Sequence, residues 1–231
     1  KHEADQRTVN ALWKQQMQAL RAVGDEQDVT FFKDWLRARY AETIRPGKEG
    51  AENKDYERIG TEFHRWVRDQ KERLGLNDSD DFMRFVTRDL DFYARQVVAI
   101  RQAAASLVEG LESIRYNEER GFTLQTQLLL APLVPDDAPE VVKRKMALVA
   151  DFLDIWIARR VWNFRTVAYN SVRYTIFTFT KEIRGKDVPS LAAYLRRKLD
   201  EMAESFASQP KFRLHQQNYR QVRHVLAREF L

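Results

Sequence analysis

Apolar side chains recur at helical spacing through almost the whole chain, and each run is cut by a capping residue, a glycine or a proline. From Glu140 to Asn163, for example, Val142, Met146, Val149, Phe152, Leu153, Trp156 and Ile157 fall on one face of a 3.6-residue period. Between Asp5 and Val23 the same spacing places Val9, Leu12, Trp13, Met17 and Leu20 on one stripe, which Gly24 ends. Only eight glycines and six prolines interrupt 231 residues, and β-branched runs bounded by turn residues are scarce. The chain is therefore expected to be all-α, a multi-helix bundle of about nine or ten helices.

The remaining runs fill in this outline. Asp28 or Thr30 caps a second helix carrying Phe31, Phe32, Trp35, Leu36, Tyr40 and Ile44, stopped by Pro46-Gly47. A third, Lys54 to Leu74, turns Tyr56, Ile59, Phe63, Trp66 and Val67 inward and closes at Gly75. Asp78 or Ser79 opens a long segment past Ile100, with Phe82, Phe85, Val86, Leu90, Tyr93 and Val97 as its stripe and a break near 103–106. The stripe resumes as Leu107, Leu111 and Ile114 to Tyr116, and a short helix from Phe122 to Leu130 ends at Pro132. The stretch Pro132-Leu133-Val134-Pro135-Asp136-Asp137-Ala138-Pro139 reads as a boundary. It divides an N-terminal helical subdomain, 1–131, from a C-terminal basic one, 140–231. Tyr169 to Ile183 is ambiguous, because Thr175 to Thr180 alternates with period two. Its length, its helical surroundings and the stop at Gly185 favour a helix. Val188-Pro189-Ser190 starts a helix through about Phe206, Pro210 breaks the chain, and Gln217 or Asn218 leads a last helix to Phe230.

Composition narrows the chemistry. Cysteine is absent, which removes disulfides, thiolate metal sites and cysteine nucleophiles and points to a reducing cytoplasm. No run of about 18 apolar residues occurs, so no membrane role is expected. The start, Lys1-His2-Glu3-Ala4-Asp5, has no initiator methionine and no signal-peptide core, as expected of a segment excised from a longer protein. The net charge of +5 is uneven: residues 1–120 hold 21 Lys/Arg against 23 Asp/Glu, and residues 121–231 hold 18 against 11. A basic second half favours phosphates or acidic partners, although solvated basic helix faces are common in proteins that bind neither.

Catalytic and metal-binding patterns are not found. No glycine-rich phosphate loop precedes Lys-Ser or Lys-Thr, and His2, His64, His215 and His224 form no i, i+4 pair. His64, beside Glu62, fits a packing role better than general-base catalysis. Asp151 and Asp154, three apart on one helix, fit ion pairing better than a hard-cation site. No catalytic residue, metal or cofactor is expected. The nucleic-acid-contact candidates are Lys143, Arg144, Lys145, Arg159, Arg160, Arg165 and Arg173, interleaved with Asn163, Asn170, Tyr169 and Tyr174, a mixture suited to phosphate contact and stacking. Arg196-Arg197-Lys198 is a second basic cluster. Arginines late in a helix equally complement its negative end and bury their stems on apolar surface.

Three aromatic-basic blocks carry a family resemblance. The run Phe31-Phe32-Lys33-Asp34-Trp35-Leu36-Arg37-Ala38-Arg39-Tyr40-Ala41, the stretch from Ala51 to Trp66, and Ile157-Ala158-Arg159-Arg160-Val161-Trp162 resemble the middle region of GmrSD-type restriction proteins. The ending Asn218-Tyr219-Arg220-Gln221-Val222-Arg223-His224-Val225-Leu226 is similar to the helix that precedes the nuclease part of such proteins. The resemblance spans essentially the whole chain. It implies a parent with a ParB-like N-terminal domain bearing an Asp-Gly-Gln-Gln-Arg motif, a helical region, and a C-terminal HNH-type nuclease acting on modified or foreign DNA. Neither motif occurs here, so no catalytic residue carries over. The expected role is a non-catalytic helical module of a phage-defence protein. It would space or couple the flanking domains, with DNA contact along its basic half and homo-oligomer contacts as further partners. The alternative is an oligomerisation or protein-interaction module with no nucleic-acid role.

Overall fold

Helix follows helix because each apolar stripe finds a neighbour that covers it. The computed structural model describes residues 2–45, 50, 53–207, 213, 214, 216, 218, 219, 222 and 223. Among them the elements are α1 (His2–Ala22), α2 (Gln27–Tyr40), α3 (Asp55–Asp69), α4 (Ser79–Arg84), a π-helical segment (Phe85–Leu90), α5 (Asp91–Ala105), α6 (Glu112–Glu119), α7 (Gln125–Leu130), α8 (Pro139–Trp162), α9 (Tyr169–Ile183) and α10 (Val188–Asp200). No strand occurs among the described residues, and the segment 175–180 is helical. The protein is an all-α multi-helix bundle. Among the described residues no helix is long and apolar enough to cross a membrane.

α8 matches its sequence stripe closely, whereas Trp13 of the α1 stripe and Phe82 of the next long stripe are exposed. All seven apolar residues expected on the inner face of α8 are buried. Asp78 caps α4, its side chain accepting from the Asp81 N–H, and Ser106 ends α5 in extended backbone. The π-helical segment lies inside an otherwise continuous helical stretch, where Thr87 Oγ1 donates to the Met83 carbonyl at 2.8 Å. Its wider turn lets Phe85, Val86 and Leu90, and then Phe92 and Tyr93, all reach the core.

Several expected element bounds need correction. Neither Asp28 nor Thr30 caps α2; Glu26 holds that position in a left-handed conformation (φ 54°), while Asp28 turns back to Arg21 at 2.7 Å. The helix also ends at Tyr40 rather than continuing past Ile44. Arg184, from the far end of α9, donates to the carbonyls of Arg37, Ala38 and Ala41, and Arg73 bonds to that of Tyr40. These groups satisfy the last-turn carbonyls that would otherwise need four further helical residues. The third helix stops at Asp69, with non-helical backbone at Glu62. The short apolar helix begins at Gln125, and α10 ends at Asp200, six residues before Phe206. The Pro46-Gly47 stop, the Pro210 break and most of the last helix lie outside the described residues.

The stretch 132–139 does not interrupt the apolar core. Residues on both sides of 132–139 share one core: Leu20, Phe31, Trp35, Tyr93, Ile114 and Leu128 to Leu130 pack in the same cluster as Val149, Leu153, Ile157, Ile176 and Leu191. A satellite cluster of Leu36, Ala41, Tyr56, Ile59, Trp66, Leu74 and Phe177 seats α3 against α2 and α9. The expected split into 1–131 and 140–231 is therefore not a split of the core. α7 is buried on every side, from Gln125 to Leu130, and the loop after it is held from four directions. Arg39 donates to the carbonyls of Ala131 (3.1 Å) and Leu133 (3.4 Å). The Tyr93 hydroxyl donates to Leu133 at 2.7 Å, and the Gly185 N–H to Ala131 at 3.1 Å. Lys145 Nζ donates to Pro132 at 2.9 Å and to both Asp137 oxygens. A proline-rich loop usually runs over the surface. Here its first residues, Ala131 to Leu133, are buried because their carbonyls each have a donor, while Asp136, Ala138 and Pro139 stay exposed.

Candidate functional site

The seven candidate cations do not form one surface. All but Arg165 and Arg173 lie on α8, and fifteen residues separate Arg144 from Arg159, a rise of about 22 Å along the axis. Lys143 and Arg144 are exposed near the start of the helix. Lys145, their neighbour, is only 2% exposed and holds the 131–137 loop through Asp137 at 2.8 Å. It is not available to a phosphate.

At the other end of α8, two more candidates serve the fold. Arg159 Nη1 donates to the Leu199 carbonyl at 2.7 Å and so closes the last turn of α10. Arg160 Nη2 donates to Thr166 at 3.1 Å, and its guanidinium lies 4.9 Å from the Trp156 ring centroid. Burial lowers the Arg160 pKa from its ordinary value; Glu204 offsets this in part, and Arg165 adds to it. The same use recurs across the molecule. Arg115 donates to Ala104 and Ala105 at the end of α5, and Arg120 to the Asp154 carbonyl and carboxylate. Guanidinium groups suit this work because several donors sit in one rigid plane, facing the negative end of a helix.

The remaining cations, Arg165 and Arg173, stand where α8 turns into α9. The turn is a Schellman arrangement: Arg165 N–H donates to Arg160 at 2.8 Å and Phe164 N–H to Val161 at 3.0 Å. Phe164 sits at the left-handed position that this motif usually gives to glycine, with φ 56°. An aromatic residue there costs about 1 kcal/mol or more, and its ring is nevertheless 47% exposed. The segment after α10 folds back over the same end, as Trp162 Nε1 donates to Phe206 at 2.8 Å and Asn163 Nδ2 to Ser205 at 2.9 Å. Along α9, the Arg173 guanidinium lies 5.9 Å from the Tyr169 ring. The Tyr56 hydroxyl donates to Gln127 at 3.0 Å. Tyr174 is 63% exposed. Phe164 could not be singled out from sequence, since nothing after Trp162-Asn163 signals a left-handed residue other than glycine.

The other candidates take structural places. Asp151 accepts from Ser113 at 2.7 Å, and Asp154 pairs with Arg120 at 2.6 Å. His64 is exposed, edge-on to Phe63, and Glu62 pairs with Arg58 and Arg65. Arg197 reaches Glu201 at 3.6 Å and Lys198 the same carboxylate at 3.1 Å. His215 and His224 lie outside the described residues. Among the described residues no group of three or more His, Asp or Glu is placed to hold a metal ion.

A cleft of about 630 Å³ lies between the first half of α1 and α4, lined by Gln6, Val9, Asn10, Asp78, Ser79, Asp80, Phe82 and Met83. Near it, Trp13 stacks on Phe32 (centroids 5.6 Å apart) and Phe32 on Phe63 (5.2 Å), a ladder of rings at the junction of α1, α2 and α3. No family model matches this chain, and comparison with curated proteins and with solved structures finds no match either.

Proposed function

We propose that this chain is a non-catalytic internal helical module of a larger GmrSD-like, phage-defence restriction protein, where it spaces or couples the nucleotide-handling and nuclease domains. Besides the family resemblance of the aromatic-basic blocks, one observation carries the reading: arginines and lysines tie together helix ends remote in sequence. Arg39 reaches Ala131, Arg184 reaches Arg37 and Ala41, and Arg159 reaches Leu199. A body braced in this way transmits displacement between its two ends instead of absorbing it. DNA contact along the later half belongs to the same reading. The cations left to it are the exposed Lys143, Arg144 and Arg165 and the half-buried Arg173, since Lys145, Arg159 and Arg160 are engaged inside the fold.

The flanking gene sequence is the first test. An Asp-Gly-Gln-Gln-Arg stretch upstream and an HNH pattern downstream are expected, and their absence removes the parentage. Purified chain should bind at least one of those flanking domains and give no turnover in nuclease or nucleotidase assays. The second reading, an oligomerisation or protein-interaction module without a nucleic-acid role, is favoured by the exposed rings beside the α1–α4 cleft, where Phe82 is 51% exposed and Trp13 lies nearby. Light scattering tests it: a monomer indifferent to the flanking domains would remove it.

A further inference from the structure

We propose that the corner where α8 turns into α9 binds single-stranded nucleic acid, with Phe164, Tyr169 and Tyr174 as stacking surfaces for bases and Arg165 and Arg173 as phosphate contacts. The inference narrows the DNA-contact part of the preceding reading to one corner and one strand state, and rests on that part alone, not on the parentage.

Charge is the first support. From Ile155 to Lys181 the chain has no Asp or Glu, in a protein with 34 of them, while Arg159, Arg160, Arg165, Arg173 and Lys181 all fall in that span. Among the described residues Arg173 meets no carboxylate, only the face of Tyr169. Arg165 is two-thirds exposed and shares Glu204 at 3.6 Å, beyond hydrogen-bond length. Many other arginines, among them Arg39, Arg115, Arg159 and Arg184, bond to backbone carbonyls; the side chains of Arg165 and Arg173 make no such bond among the described residues.

Ring placement is the second. Phe164, Tyr169 and Tyr174 are all exposed within eleven residues of chain, where an isolated exposed apolar residue would need no explanation. Phe164 is held by the Schellman turn in a conformation that glycine would adopt without strain, and the Tyr169 ring lies 5.9 Å from the Arg173 guanidinium. Strain of this kind, retained at an exposed aromatic, points toward use of the ring. Rings interleaved with cations match a single strand, whose unpaired bases offer π faces at the spacing of its phosphates. A duplex hides those faces, and an acidic peptide would use the cations but not the rings.

The test is fluorescence anisotropy of the full chain with labelled oligo(dT) and oligo(U) of about 15 nucleotides, the corresponding duplex, and a poly-glutamate peptide, from about 50 to about 200 mM salt. Both single strands should bind at least about tenfold more tightly than the duplex or the peptide. A difference between oligo(dT) and oligo(U) would support the proposal and name the strand. Y174A and F164G should each weaken binding about tenfold. The double variant R165Q/R173Q should lower the slope of log K against log salt by about 1.4. F164G should also melt at or above the temperature of the parent chain, so its loss of binding cannot be a loss of folding. No binding of either single strand at about 100 μM chain and low salt, below even ordinary non-specific affinity, would overturn the proposal. So would equal affinity for the duplex, or F164G and Y174A binding as the parent does. Duplex binding that depends on Lys143 and Arg144 alone would overturn the corner while leaving DNA contact in place.

Discussion

The two ends of α8 carry similar residues and use them in opposite ways. At the N-terminal end Lys145 is buried against Asp137, and Arg39, Tyr93 and Gly185 converge on the loop that leads into the helix. At the C-terminal end Phe164 is exposed in a left-handed turn, Arg165 is two-thirds exposed beside Glu204, and Arg173 lies against the Tyr169 ring. A cation is structural or available according to which acceptors the tertiary fold brings to it. The first end has buried carbonyls that must be satisfied; the second has exposed rings, and Glu204 is the carboxylate recorded beside its cations.

That contrast predicts a graded set of effects. Lys145→Ala should be the most damaging, because it leaves Asp137 and the Pro132 carbonyl buried without their donor; a loss of about 3–5 kcal/mol is expected in urea unfolding. A smaller loss would mean that the loop is not the anchor it is taken for here. Asp34, buried on α2, comes next. Burial raises its pKa from 3.8 to about 6, against the opposing charges of Arg37, Arg101 and Lys33. Between those pH values the folded state holds a proton that the unfolded chain has released. Its contribution to stability is therefore full below about pH 4 and is lost as pH rises through about 6. Asp34→Asn should raise stability at pH 7.5 by about 1–2 kcal/mol and flatten the melting profile between pH 4 and 6. An unchanged profile would show that the carboxylate is charged throughout.

At the open end the effects should be small or reversed. Phe164→Gly should stabilise the fold by about 1 kcal/mol, read as a rise in melting temperature, because the turn no longer holds a side chain at positive φ. Destabilisation would show that the ring packs more than its exposure suggests. Arg165→Gln and Arg173→Gln should each shift stability by no more than about 0.5 kcal/mol. A larger loss from either would place it with the structural arginines and erase the distinction between the two ends.

Much of the architecture is legible from local pattern. α8 and α9 run where their stripes place them, and α4 starts at the Asp78 cap, because a 3.6-residue period and a capping side chain are properties of a few consecutive residues. The ambiguous segment 175–180 is helical since Ile176, Phe177, Phe179 and Thr180 are all buried among neighbouring helices, so period-two alternation carries no exposed face. The candidate site was legible only in part. Arg165 and Arg173 are where a basic-aromatic mixture suggests, but Lys145, identical in pattern to Lys143, is buried. The 132–139 stretch shows the same limit: Pro132 to Pro139 has the composition of a surface loop, and only donors from α2, α5, α8 and the turn after α9 show that its first residues are buried in the core.

What the chain determines alone is the helices, their inward faces and the absence of cysteine chemistry, since these follow from backbone geometry and residue types within a turn or two. The tertiary structure decided where α2 stops, that the two halves share a core, and which cations are left open. Those outcomes depend on pairs such as Arg39 with Ala131 and Arg184 with Ala41, separated by 92 and 143 positions. No local pattern encodes such a pair, because whether an arginine finds a carbonyl depends on how several helices pack at once.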